Sequence, residues 1–237
     1  MTALCLEPIA IAHTPYNEKF SVPRQPKLSR YGTGEIELLP PYNHADCVRG
    51  LAQFSHIWLI FQFDKIPAHK WSPTVRPPRL GGNQRMGVFA TRATHRPNAL
   101  GLSLVALEEI HIKKGSVRLH VGSIDLVNGT PIFDIKPYLA YADSEVNAKC
   151  GFASEAPVPS NITVHFSPQA KRFLQSKAAR AYPHLQEFIV ELITQDPRPA
   201  YQHNQYGREY GLSIWAFNVR FVFQDEHCAC VQSITAL

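Results

Sequence analysis

RMGVFATRATHRPNALGLSLVALEEIHIKKGSVRLHVGSIDLVNGTPIFDIKPY, running from Arg85 to Tyr138, decides the fold. Apolar runs (Met86 to Ala90, Leu100 to Leu107, Val117 to Val121) alternate with segments dense in Arg, His, Asn, Asp and Lys. The polar segments carry Pro and Gly, so their backbones read as turns. From Leu102 the period is two: Leu102, Leu104 and Ala106 share one face, and Ser103, Val105 and Leu107 the other. Ile110, Ile112, Val117, Leu119 and Val121 continue it through the turn at Lys113-Lys114-Gly115, which predicts a hairpin. Strands that deliver polar loops to one place are a common way to build a site.

Working outward, residues 8–13 read as a first strand and Gly34 to Leu39 as another. Between them, Pro23 and Pro26 bracket Arg24 and Gln25 and hold them in an extended path. Ala45, Val48, Leu51 and Ala52 recur at helical spacing, which predicts a helix over Asn43 to Phe54. His56 to Phe63 is β-branched and aromatic and apolar on both faces, so it reads as a central strand buried on both sides. Residues 64–85 are irregular and proline-rich, with neither a P-loop nor a dinucleotide fingerprint. Gly87 to Arg92 reads as a strand, and Ala93 to Gly101 as a polar turn.

About six or seven strands before residue 145 make the fold mainly β, with an antiparallel β-barrel domain or a sandwich over residues 1–148. Residues 149–165 read as a linker, and 166–237 as a small C-terminal α+β subdomain. In the latter, Pro168 to Arg180 and Pro183 to Thr194 are helical, the loop Asp196 to Tyr201 follows, and Ser213 to Phe223 and Cys228 to Ile234 are strands.

The chain has 237 residues, 45% of them apolar, enough for a proper core. Its net charge of +5 is only mildly basic, but position matters more. Arg76, Arg79, Arg85, Arg92 and Arg96 fall in one span, and Asp64 is the only acid between residues 50 and 107. The five cysteines are odd in number and scattered, which predicts reduced thiols and a cytoplasmic location. Cys228 and Cys230 share a strand face and read as structural rather than metal-binding. No apolar run reaches the roughly 18 residues of a membrane span, so no membrane partner is expected, and because Cys228 and Cys230 leave a metal site two ligands short, no metal partner is expected either.

Several motifs in order carry a resemblance. Pro23-Arg24-Gln25-Pro26, Phe54-Ser55-His56, Pro77-Pro78-Arg79-Leu80, Gly87-Val88-Phe89, the run Thr91 to Gly101 and Asp134-Ile135-Lys136-Pro137-Tyr138 together resemble the TsaA-like, or TrmO, family of tRNA methyltransferases. The match spans roughly residues 8–145, and Asp196 to Tyr201 resembles the bacterial members. The chain departs where Asp64-Lys65 stands in place of a frequent His. The resemblance implies a β-barrel methyltransferase that uses S-adenosylmethionine. Its substrate would be threonylcarbamoyladenosine beside the anticodon of tRNA, threonine tRNA above all, methylated on N6. It also implies a homodimer.

On that footing the donor is expected to meet Arg24, Gln25 and Pro26, then Asp64 and Lys65, then Arg92 and Leu102, and finally Ser123, Ile124, Asp125 and Leu126. A carboxylate (Asp125 or Asp64) would take the ribose hydroxyls or the amino group, and Arg24 or Arg92 the donor's carboxylate. Arg92 reads alternatively as a rim ion pair, and Leu102 as plain core. The acceptor nitrogen still carries a proton, so a base is expected, with His95, Asp134 and Tyr138 as candidates. Arg96 or Lys136 would neutralise the threonyl carboxylate. Arg79, Arg198 and Tyr201 would meet tRNA phosphates and bases, together with Arg76 and Lys70. Competing readings are a non-enzymatic RNA-binding barrel stacking bases on Trp58, Phe61 and Phe63, an enzyme acting on a small anion at the Arg cluster, and a metal enzyme using His13, His56 and His95.

Overall fold

The alternating stretches form strands because a two-residue period lets one face enter a core while the other meets solvent. A computed structural model describes residues 5–67, 70–155, 160–198 and 202–237. Its first eight strands are β1 (Ala10–His13), β2 (Gly34–Leu38), β3 (His56–Gln62), β4 (Thr74–Val75), β5 (Met86–Gly87), β6 (Leu100–Lys113), β7 (Ser116–Gly122) and β8 (Thr130–Pro137). Six of them close into a barrel in the order β1-β2-β7-β6-β3-β8, every pairing antiparallel. The mainly β fold with an antiparallel barrel is therefore as expected. Closure leaves no unpaired edge.

Inside lie Ala10, Ala12, Ile36, Ile57, Leu59, Val117, Leu119, Val121 and Ile132, all fully buried. The outer face of β1, β2, β6 and β7 is polar. Arg118 pairs with Glu35 at 2.8 Å and Glu37 at 3.1 Å, and His13 pairs with Glu37 at 2.8 Å. Such exposed pairs contribute little stability each but keep the sheet's outside face outside. Strand β3 is not buried on both sides as expected. It alternates, with Ile57, Leu59 and Phe61 inward and His56, Trp58, Ile60 and Gln62 only partly covered. A barrel wall has one interior face, so its strand needs only one.

Other expectations change for local reasons. Asn43 to Phe54 is not a helix but two 3-10 turns, Ala45–Val48 and Leu51–Gln53. Between them Gly50 sits at φ 82°, a left-handed conformation that stops helical propagation. Gly87 to Arg92 holds only the end of β5 and a 3-10 turn, Val88–Ala90, because Val88 alone is buried there. The hairpin β6–β7 turns as predicted through Lys114-Gly115.

The C-terminal region contains α1 (Ala140–Asp143), β9 (Thr163–Phe166), α2 (Pro168–Leu174), α3 (Lys177–Arg180), α4 (Leu185–Thr194), β10 (Glu209–Ile214), β11 (Phe217–Phe223) and β12 (Cys228–Ala236). Its sheet has the order β10-β11-β12-β9. Ser213 to Phe223 is a hairpin rather than one strand, turning at Trp215 with φ 46°. The helix expected over Pro168 to Arg180 breaks at Ser176, whose side chain caps α3. Strand β9 occupies the end of the stretch read as a linker.

The barrel and this sheet share a continuous apolar cluster. Tyr16, fully buried, lies between them: its ring sits 5.8 Å from that of Phe188 on α4, and its hydroxyl donates to Ser29 Oγ at 3.2 Å. Glu191 of α4 accepts from the Ser29 hydroxyl and from the Arg30 N–H at 2.7 Å, and Gln195 donates to the Leu28 carbonyl at 2.9 Å. The loop between β1 and β2 is thus fastened to the C-terminal helix. Removing the Tyr16 ring leaves a void at this junction. Tyr16→Ala is expected to lower unfolding free energy by roughly 3–5 kcal/mol and Tyr16→Phe by about 1 kcal/mol, measured by urea denaturation.

Candidate active site at the barrel mouth

Antiparallel pairing assigns every connection to one end of the barrel or the other. Ala12 pairs with Thr130, His13 with Glu35, Gly34 with Val121, and Gln62 with Leu100. The loops 14–33, 63–99 and 123–129 therefore emerge at the same end. A cavity of about 930 Å³ opens there. Its inner part is walled by Phe61, Ser103, Leu126 and Thr130, and it spreads onto the outward-facing side chains of Ile60, Gln62, Leu100 and Leu102. At Gly101 an added Cβ would lie 2.3 Å from the Phe61 ring, so glycine is what lets that ring lie flat on the wall.

The polar groups form a connected set. Gln25 is extended, φ −152° and ψ 151°, as Pro26 immediately after it dictates. Its side-chain oxygen accepts from Arg92 at 2.9 Å, while its amide donates to the Arg24 carbonyl at 2.6 Å. Ser103, buried on the inward face of β6, donates its hydroxyl to Asp125 Oδ1 at 2.5 Å. Burial pushes the Asp125 carboxyl up to about 6, while the Ser103 hydrogen bond, a backbone hydrogen bond and the Arg92 charge pull it down. The loop that carries Asp125 is pinned: Thr14 donates to the Leu126 carbonyl at 2.8 Å, and Ile124 N–H to the Gly32 carbonyl at 2.9 Å. Lys65 pairs with Asp64 at 2.8 Å. Among the described residues no carboxylate lies in ion-pair range of Arg24, Arg92 or Arg96. The cavity thus offers unpaired guanidinium groups, one buried carboxyl and apolar walls.

Most residues expected around the donor meet here: Arg24, Gln25, Asp64, Lys65, Arg92, Leu102, Asp125 and Leu126 all line the cavity, and so does Arg96. Leu102 is 55% exposed and is not core. Three neighbours do not line it. Pro26 begins the 3-10 turn Pro26–Leu28 and leads away, Ile124 is fully buried as an anchor of its loop, and Ser123 supplies a left-handed bend at φ 53°.

The expected bases are not gathered there. Strand β8 starts at the mouth and runs away from it, and Tyr138, just beyond its end, packs against His56 and the cavity residue Trp58, with ring centroids 6.3 and 6.1 Å away, without itself lining the cavity. Asp134 pairs with Lys136 at 2.8 Å and accepts from the Ile135 N–H; neither Asp134 nor Lys136 lines the cavity, though they lie in register with Ile60 and Trp58, which do. His95 is exposed beside Thr94, off the wall. Arg198 makes no surface contact: its side chain is 2% exposed, fork-bonded to Asp196, donating to the His203 carbonyl, and stacked 3.5 Å over Phe223. Every face of that guanidinium is used inside the fold, so a phosphate role for it is withdrawn. Arg79 is exposed and donates to the Glu155 carbonyl, outside the cavity. Tyr201 lies outside the described residues.

Phe61 is buried and packs edge-on to Phe63, which leaves no row of exposed aromatics on β3 for stacking bases. His13, His56 and His95 lie in separate hydrogen bonds, and among the described residues no group of three or more His, Cys, Asp or Glu has metal-binding geometry. Ser103 was not among the expected site residues. Its signal was present: a hydroxyl sharing a phase with the core residue Val105.

Sequence models of the two domains of one family match the chain, the tRNA-methyltransferase O (TrmO) N-terminal domain over residues 11–144 and the TrmO C-terminal domain over 159–237. The chain belongs to the TrmO family of tRNA methyltransferases. It is 49% identical to the tRNA (adenine(37)-N6)-methyltransferase of Escherichia coli K12 over 226 residues, 95% of each chain. It is 45% identical over 216 residues, 91% of each chain, to RcsF of Pseudomonas aeruginosa, named for S-adenosylmethionine-dependent methyl transfer. A crystal structure of TrmO from Pseudomonas aeruginosa superposes with a TM-score of 0.80 at 36% identity, covering 100% of this chain and 99% of that one. Barrel, C-terminal sheet and helices are thus a TrmO architecture.

Asp125 makes this TrmO chain pH-sensitive. Its folded-state value lies above the ordinary 3.8, so ionising it costs the fold: its contribution is intact below about 4 and lost as pH climbs through about 6. Asp125→Asn removes that loss. Its stability relative to the parent should rise between pH 4 and 7 and level off at no more than about 3 kcal/mol, read from urea denaturation at each pH.

Proposed function

We propose that this chain is an S-adenosylmethionine-dependent methyltransferase acting on N6 of threonylcarbamoyladenosine at tRNA position 37, threonine tRNA above all. One observation carries the reading: a single cavity at the barrel mouth, large enough for a cofactor, collects nine of the expected donor and substrate residues, eight from three separate loops and Leu102 from β6. The donor set fits the group. Phe61 and Leu126 supply apolar walls for a planar base and a methyl-sulfonium, Asp125 a carboxylate for hydroxyls or an ammonium, and Arg24 and Arg92 cations for a carboxylate.

The bound donor supplies an electrophilic methyl group whose sulfonium charge is neutralised on transfer. The chain's own contribution is alignment and exclusion of water. Gln25 fixes the Arg92 guanidinium, and the pinned 123–129 loop fixes Asp125. Arg96 spends one nitrogen on the Thr91 and Ala93 carbonyls, at 3.2 and 3.4 Å, and presents the rest of its fork to the cavity. That suits a clamp on the threonyl carboxylate, which plain adenosine lacks. Arg76, Arg79 and Lys70 are exposed and serve as phosphate contacts in this reading. The reading also carries a homodimer and a cytoplasmic location, to be checked by sedimentation and by fractionation.

The test is methyl transfer from labelled donor to two tRNA pools, one with and one without the threonylcarbamoyl group. Transfer to the modified pool alone is expected, and equal labelling of both pools defeats the substrate assignment. Arg96→Ala should raise KM for modified tRNA about tenfold while leaving donor affinity within a factor of about two, whereas Arg92→Ala should weaken donor binding about tenfold in calorimetry.

A further inference from the structure

Ser103 stands where the barrel interior should be hydrocarbon. Strand β6 turns Ser103 and Val105 inward together, opposite Leu59 and Ile57 of β3, and Ser103 is 3% exposed. A buried hydroxyl needs a partner, and this one has a single close acceptor, Asp125 Oδ1 at 2.5 Å. Both residues line the cavity, Ser103 on β6 and Asp125 in the loop that follows the neighbouring strand β7, so the bond ties that loop to the barrel wall rather than bracing one turn. A hydroxyl at that distance donates, and a donor stabilises the ionised form of its acceptor.

We propose that Ser103 is a positioning residue of the donor site, whose buried hydroxyl holds the Asp125 carboxylate ionised and aimed into the cavity. This rests on the reading that Asp125 receives the donor's hydroxyls or ammonium. The groups facing Asp125 are few. Arg92 lies on the 91–99 loop and favours the charge. Tyr16, below the 123–129 loop, is held neutral by burial and adds none. Lys65 is engaged with Asp64. Burial opposes ionisation most strongly, so without the hydroxyl the carboxyl stays protonated to higher pH. Donor affinity then depends on pH in a way that Ser103 sets: full above the Asp125 midpoint and lost below it.

The experiment is calorimetric titration of full-length protein with S-adenosylmethionine from pH 5 to 8.5, beside a carbon-13 NMR titration of the Asp125 carboxyl without donor. In the parent, affinity should fall about tenfold per unit as pH drops below about 6. Ser103→Ala should move both midpoints up by roughly one unit, yet recover nearly parental affinity at pH 8.5. Ser103→Thr, which keeps the hydroxyl, should restore the parental profile, and Asp125→Asn should bind weakly with no pH dependence. A purely structural role would instead cut affinity equally at every pH, and that result, or a parental affinity flat from pH 5 to 8.5, overturns the proposal. If the parent binds no donor at any pH, the donor reading fails. The carboxyl titration still decides the pair: an unmoved midpoint in Ser103→Ala sinks it.

Discussion

Strand β3 is hydrogen-bonded along both edges, to β6 from His56 through Gln62 and to β8 from Ile57 through Phe61. That double pairing joins the strand pair β7-β6 to the pair β8-β1 and makes a tube rather than an open sheet. Everything at the mouth depends on it. Once the tube closes, antiparallel geometry determines which connections share an end. Residues separated by about a hundred positions, such as Gln25 and Asp125, then face one hollow. A one-residue slip of β3 would turn Ile57, Leu59 and Phe61 outward and dissolve the cavity wall.

Precision at the mouth comes from a second source. The β1–β2 loop, which carries Arg24 and Gln25, has no strand of its own to stiffen it. Its rigidity comes from two prolines and from fastening to the C-terminal helix through Ser29, Arg30 and Leu28. Asn17 and Trp215 add backbone bonds between the same two regions. The C-terminal sheet therefore acts on the site without lining its main cavity. Arg198, sealed between Asp196 and Phe223, belongs to that supporting role. A guanidinium stacked and fork-bonded inside a fold is a rigid strut, not a surface contact.

The chemistry of the cavity is a balance of opposite demands. Low dielectric strengthens every interaction a ligand makes there, but it also resists the charge on Asp125. The hydroxyl of Ser103 and the cation of Arg92 offset that resistance. The guanidinium groups face no such penalty, because they stand at the rim, and their charge there complements carboxylate and phosphate. Apolar side chains at the outer part, Phe89 and Leu102 among them, remain exposed beside those cations.

The strand periods of β6, β7 and β3, the turn at Lys114-Gly115 and the extended path of Arg24-Gln25 were legible in the chain, because each is decided within a few residues by side-chain alternation or by proline. Most of the residues that line the cavity were legible too, since they sit in loops whose polar character interrupts apolar runs. The base candidates do not line the cavity, because a motif records composition and not direction: β8 places Asp134 and Tyr138 beside the cavity residues Ile60 and Trp58 rather than on the wall itself. The helix over Asn43 to Phe54 failed because Gly50 outweighs a helical spacing of apolar residues. Arg198 was beyond local reading, since burial is a property of what packs above a residue; Ser103 shared the inward phase of Val105, but its carboxylate partner lies 22 residues on and only the fold brings the two together. The sequence by itself determined which segments are strands and which are polar turns. Only the tertiary structure decided which turns share an end, which charge is buried, and which hydroxyl meets which carboxylate, because those facts arise from long-range pairing that closes the barrel.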